Sequence, residues 1–109
     1  MNMLERKFSS SVNHNEAVVK MLREDPSSAQ IYLNVALDEI YEDQGIPAYL
    51  IALRQVIEAR GGIGEISTKA GLSRQQLYRT LSDNGNPTLT TLMKVTRAAG
   101  VKLFDSTVK

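Results

Sequence analysis

An all-α fold is predicted by three features of the sequence. Apolar residues recur at three- and four-residue spacing, alternating apolar–polar runs are nearly absent, and each periodic segment is bounded by residues that start or stop helices. With 109 residues, 42% of them apolar, and only 3 prolines and 7 glycines, the chain has material for one compact domain of five or six short helices, without a separate catalytic lobe.

The elements follow in order. Asn13-His14-Asn15-Glu16 has the form of a capping box, after which Ala17, Val18, Met21 and Leu22 fall on one stripe until Pro26. Ser27-Ser28-Ala29-Gln30 is a second capping box, leading into Ile31, Val35, Ile40 and their neighbours up to Gly45. Pro47 suits the first turn of a third helix, with Leu50, Leu53, Val56 and Ile57 as its apolar face and Gly61-Gly62 as its end. Two short helical segments, 63–70 and 74–82, are separated by Gly71-Leu72-Ser73. After the turn signal Asp83-Asn84-Gly85-Asn86-Pro87, Thr88 can cap a last helix with Leu89, Leu92, Val95 and Ala99 inward and Gly100 as its stop. The tail Val101-Lys102-Leu103-Phe104 is apolar enough to pack on the domain or on a partner.

The chemistry concentrates in residues 63–81, which read as a helix-turn-helix. Two helices that cross closely need small residues at the crossing, and Ser67 and Ala70 supply them. The bend needs a residue tolerant of positive φ, and Gly71 sits there. Leu72 plugs the turn, while Ile66, Leu77 and Leu81 clamp it from inside. Ser73 can cap the second helix. With Leu77 and Leu81 inward, a wheel of about 100° per residue turns Gln75 and Arg79 outward. Arg74 projects from the first turn, and Gln76 and Tyr78 flank the exposed stripe. Gln can bond adenine bidentately and Arg can bond guanine, while Ser73, Lys69 and the helix start can hold phosphates. Thr88 and Thr90 can add backbone contacts from the last helix. One helix before the pair, then a Gly-Asn-Pro loop and another helix, gives the layout of phage-repressor-like domains. The expectation is therefore a phage-repressor-like helix-turn-helix bundle of about five helices. It divides into an N-terminal, partly helical extension (1–25), the helix-turn-helix DNA-binding domain (26–104) and a C-terminal tail (105–109).

The run from Gly71 to Val95, with its Leu-Ser-Arg, Leu-Tyr, Leu-Ser and Gly-Asn-Pro elements, resembles the signature of addiction-module antidote proteins, helix-turn-helix antitoxins related to the HigA type. The resemblance reaches upstream through Tyr32–Glu39 and Leu53–Val56, covering about Ala29 to Leu103. Ser67 departs from the alanine that the wider helix-turn-helix class favours. The resemblance implies an antitoxin that neutralises a small, basic RelE/ParE-like toxin encoded beside it. It also implies a homodimer that represses its own operon by binding a palindromic operator. Carried onto this chain, the DNA contacts are Ser73, Arg74, Gln75, Gln76, Tyr78 and Arg79. A stand-alone phage-type repressor, or an interaction module that keeps the fold, would share these features.

Other signals are weaker. Residues 1–45 hold 8 acids and 4 bases, while 46–109 hold 4 acids and 9 bases, so the net charge of +1 hides halves of −4 and +5. Glu39, Glu42 and Asp43 face either a basic toxin or only water. Met1–Ser11, with Leu4 and Phe8, reads as a partner-ordered arm or a frayed end. Gly61, Gly62 and Gly64 lack the Lys-Ser/Thr of a phosphate loop. Asp38 and Glu42 lack an activated group beside them, and His14 reads as a surface residue. Tyr32, Tyr41 and Tyr49 read as edges of an amphipathic core. With no cysteine and one histidine, thiolate metal sites and nucleophilic triads are excluded, and no cofactor or enzyme activity is expected. No apolar run approaches the roughly 20 residues of a membrane span, and the first residues lack a signal peptide's apolar stretch. The cytoplasm is the expected compartment.

Overall fold

The computed structural model describes the backbone of residues 3–82 and 84–108, and side chains from residue 13 onward. Six helices follow one another: α1 (Met3–Glu24), α2 (Ser28–Asp38), α3 (Gly45–Ala59), α4 (Gly62–Ala70), α5 (Arg74–Thr80) and α6 (Leu89–Ala98). The chain is an all-α bundle, as its periodicity predicts, and no strand occurs among the described residues.

α3 is the central element, because its apolar stripe is wide: Tyr49, Leu50, Ala52, Leu53, Val56 and Ile57 are all buried. α1 and α2 pack on one side of it through Val18, Leu22, Ala29 and Leu33, while α4, α5 and α6 add Ile63, Ile66, Leu77, Leu81, Val95 and Ala99 to the same core. Burying each of the valine, leucine and isoleucine side chains among them stabilises the fold by about 1.5–3 kcal/mol.

Several boundaries differ from expectation. α1 runs straight through Asn13–Glu16, so no capping box forms there; Asn15 instead accepts a hydrogen bond from Gln55 Nε2 at 3.0 Å. Met1–Ser11 joins this helix from Met3, and the side chains of Leu4 and Phe8 lie outside the described residues, as does Asp83 of the turn signal. The buried stripe of α1 is Val18, Val19 and Leu22; Ala17 and Met21 face out. Ser27 makes no cap bond. Its hydroxyl donates to Asp25 Oδ1 at 2.6 Å, and Ser28 donates to the Asp25 carbonyl at 2.7 Å, so the turn is held from its acidic side.

α2 stops at Asp38 instead of continuing to Gly45. Gln44 then takes a left-handed conformation (φ 62°) and Gly45 begins α3. A Cβ at Gly45 would run into the carbonyl oxygens of Glu39 and Ile40, so glycine permits this close approach. Pro47 lies in the first turn of α3, where its missing N–H is harmless. The interior of α2 is Ala29, Leu33 and Asn34; Ile31 and Val35 are exposed.

Polar groups inside the bundle are paired. Tyr32 donates to Gln55 Oε1 at 2.5 Å, and Gln55 donates to Asn15, a relay that ties α2, α3 and α1 together. Burial pushes the Tyr32 phenol above its ordinary value. Arg60, at the end of α3, donates to the carbonyls of Pro26 (2.8 Å) and Ala99 (3.2 Å), joining two distant turns.

The tail is fastened by two amides. Gln30 Nε2 donates to the Lys102 carbonyl at 3.0 Å while the Lys102 N–H donates to Gln30 Oε1 at 2.8 Å. One turn later Asn34 donates to the carbonyls of Asp105 (2.8 Å) and Val108 (3.0 Å) and accepts from the Asp105 N–H at 3.1 Å. Tyr49 donates to the Leu103 carbonyl at 3.2 Å. Gln30 is thus a tail clasp, not the cap partner that its spacing suggests.

Candidate nucleic-acid interface

α4 and α5 form the expected helix-turn-helix. Gly71 closes α4 with φ 74°, and Ser67 is buried at the crossing with its hydroxyl bonded to the Gly64 carbonyl at 2.9 Å. The serine thus fits where alanine is usual, because its one polar group is satisfied within its own helix. Leu77 is wholly buried and Leu81 nearly so, which fixes the rotation of α5.

Ser73 starts α5 with a complete capping box. Its Oγ accepts from the Gln76 N–H at 3.0 Å, and its own N–H donates to Gln76 Oε1 at 2.8 Å. Two helix-start donors are satisfied internally, so this seven-residue helix holds its shape without a ligand.

Lys69, Ser73, Arg74, Gln75, Gln76, Tyr78, Arg79 and Thr88 are all exposed. Gln75 and Arg79 lie one turn apart on the face opposite Leu77, free of bonds within the described residues through their side chains. Gln76 differs: its carbonyl oxygen is committed to the capping box, leaving the amide donors to face outward. Arg74 does not project from the first turn. Its guanidinium folds back over Gly64, where a Cβ on residue 64 would collide with it. Tyr78 is held by Arg54, whose guanidinium lies 5.4 Å from the ring centroid and also pairs with Glu58 at 3.3 Å.

α6 is capped by Thr88, whose Oγ1 accepts from the Thr91 N–H at 3.1 Å. Its inward residues are Val95, Thr96 and partly Leu92, with Ala99 buried just past its end. Leu89, expected inward, is 64% exposed, since it occupies the first helical position beyond the core's edge. Lys69 pairs with Glu65 at 3.7 Å and shares a cleft with Lys94 and Arg97. That cleft runs along α6 from Lys94 to Ala98, six to ten residues or about 9–15 Å from its Thr88 end. The eight residues therefore divide into a compact group on α5, with Thr88 at one flank and Lys69 in a separate basic cleft.

Arg54, Gly64, Lys94 and Arg97 were absent from the sequence-based set. Arg54 lies 24 positions from Tyr78, and nothing in local spacing signals that contact. Among the described residues no group of three or more potential ligands is placed to hold a metal, and no helix is long and apolar enough to cross a membrane.

Residues 13–107 match the family model described as "probable addiction module antidote protein". A Haemophilus influenzae protein described as uncharacterized is 41% identical over 73 residues, which cover 67% of this chain and 70% of the relative. No solved structure matches the chain. With nearly its whole length from Asn13 to Thr107 matched, the chain belongs to the addiction-module antidote family.

Proposed function

We propose that this protein is the antitoxin of a type II toxin–antitoxin pair, related to the HigA type, that neutralises a small basic RelE/ParE-like toxin in the cytoplasm. In this reading it also represses its own operon as a homodimer on operator DNA. One observation carries the DNA half: α5 is a self-capped helix with Leu77 buried beneath it and Gln75 and Arg79 exposed on its outer face.

Each side chain then has a role. Gln75 reads adenine through N6 and N7, and Arg79 reads guanine through O6 and N7. Gln76, with its oxygen occupied, donates to a phosphate, as do the Ser73 hydroxyl and Tyr78. Thr88 contacts the backbone from the α6 edge. Arg74 joins by swinging away from Gly64, and Lys69 supplies a peripheral phosphate contact. A dimer places two such helices in successive major grooves about 34 Å apart. Family membership supports the antidote half, since an antidote implies a toxin.

The two halves are tested separately. Coexpression with the neighbouring gene should give a stable complex that copurifies through a tag on either protein; a chain that elutes alone would contradict the antitoxin role. DNA affinity should fall steeply with salt, because each neutralised phosphate releases counterions. Arg79→Ala should cost about 1–3 kcal/mol at one base position while leaving others unchanged.

A further inference from the structure

Two exposed patches of opposite charge lie away from α5, the first of them sharing Lys94 and Arg97 with the Lys69 cleft. The first is a groove of about 900 Å³ between the outer face of α6 and the tail. Met93 and Phe104, 56% and 45% exposed, give it an apolar floor, and Lys94, Arg97 and Lys102 rim it together with one acid, Asp105, whose carboxylate is bonded to Thr107. From residue 84 to residue 104 the chain carries these three cations and no acid. The second patch is the end of α2 and the turn after it, with Asp38, Glu39, Glu42 and Asp43 around Tyr41. From residue 24 to residue 53 there is no lysine or arginine at all. Tyr41 is 99% exposed, so it is not the core edge that its apolar neighbours suggest, and it adds nothing to the core of a single chain. The ion pairs formed among the described residues involve none of the charges in either patch.

α2 sets the two patches side by side. Gln30 lines the groove and Asn34 fastens the tail, and the next position on that stripe is Asp38, about 12 Å along the helix from Gln30. Adjacent patches of opposite sign suit a two-fold axis. Rotation by 180° lays each patch on its complement in the other copy, so the contact is made twice and closes at two chains.

We propose that the occupant of the basic groove is the acidic turn of a second copy, with Tyr41 of each chain set against Phe104 and Met93 of the other. This deepens the reading above, on which it rests for the presence of two copies, and it leaves the α5 residues outside the contact.

The test is a charge swap on the full chain, read by sedimentation across a salt series. The variants E39K/E42K and K94E/R97E each alter solvent-exposed residues, and thermal melts verify that each folds. The wild type should be a dimer that weakens as salt rises. Each variant alone should dissociate at least tenfold more readily, and their equimolar mixture should recover a dimer of wild-type strength. Y41S/F104S should weaken association without the salt dependence changing. The proposal is overturned if either charge variant dimerises like the wild type, if the mixture stays monomeric, if the wild type is monomeric or forms open-ended assemblies, or if the variants lose only toxin capture. Dimerisation that follows the swap in a chain indifferent to duplex DNA would uphold this surface and remove the operator reading.

Discussion

The α4–α5 pair and the pairing of α2 with the tail are built in opposite ways. In the first, geometry is set between near neighbours: Ser73 with Gln76, Ser67 with Gly64, and Gly71 alone at the bend. In the second, Gln30 and Asn34 reach chain 71 to 74 positions away. The local design satisfies its own helix start and leaves Gln75 and Arg79 exposed. The long-range design consumes its amides on tail backbone, and what it leaves exposed is charge, Tyr41 and Phe104. One region thus presents polar side chains outward, and the other holds the bundle closed.

The sharpest way to break this comparison is at Leu77, the buried anchor of α5. Leu77→Ala should cost about 2–5 kcal/mol in urea denaturation, because the cavity lies under a helix held by few other core residues. Asn34→Ala comes next, at about 1–3 kcal/mol, since it removes three hydrogen bonds to the tail and one from Gln30, leaving tail groups unpaired. Hydrogen exchange should then speed up at Asp105 and Val108 while α5 amides stay protected. Equal acceleration in α5 would mean that the two regions are not separable.

Gly71→Ala should cost about 1 kcal/mol. Beyond the adjoining residues no atom lies within 4 Å of the added Cβ, so the penalty comes from the positive φ. A cost several times larger would point to a repacked turn. The smallest effect at neutral pH belongs to Tyr49, whose phenol burial pushes up to about 12 from an ordinary 10. The folded state therefore favours the neutral form, and that stabilisation is complete below pH 10 and is lost as pH rises through 12. Tyr49→Phe should flatten the fall in stability between those values, as measured by melts at stepped alkaline pH.

The same contrast explains what could be read from the amino-acid sequence. Gly71, Ser73, Thr88 and Gly100 announced their roles, because caps and left-handed turns depend on the residue itself and its next few neighbours. The outward placement of Gln75 and Arg79 followed from the Leu77–Leu81 spacing alone. Gln30 did not announce its role, since an amide three residues after a serine fits a capping box equally well, and the partners of Asn34 lie 71 to 74 positions away. The folding of Arg74 onto Gly64 and the stacking of Arg54 on Tyr78 depend on how helices cross, which spacing within one helix does not encode. Leu89 was expected inside and Tyr41 at the core's edge; Leu89 instead lies at the start of α6 and Tyr41 in the turn after α2, both where the core stops.

The most direct measurement is binding of the full chain to the duplex immediately upstream of its own gene, against a scrambled duplex, for the wild type and for Q75A/R79A. Selective, salt-sensitive binding by the wild type, lost in a variant whose melting is unchanged, is the expected result. A variant that binds the upstream duplex as tightly and selectively as the wild type, or a wild type that does not distinguish the two duplexes, would contradict α5 as the reading surface.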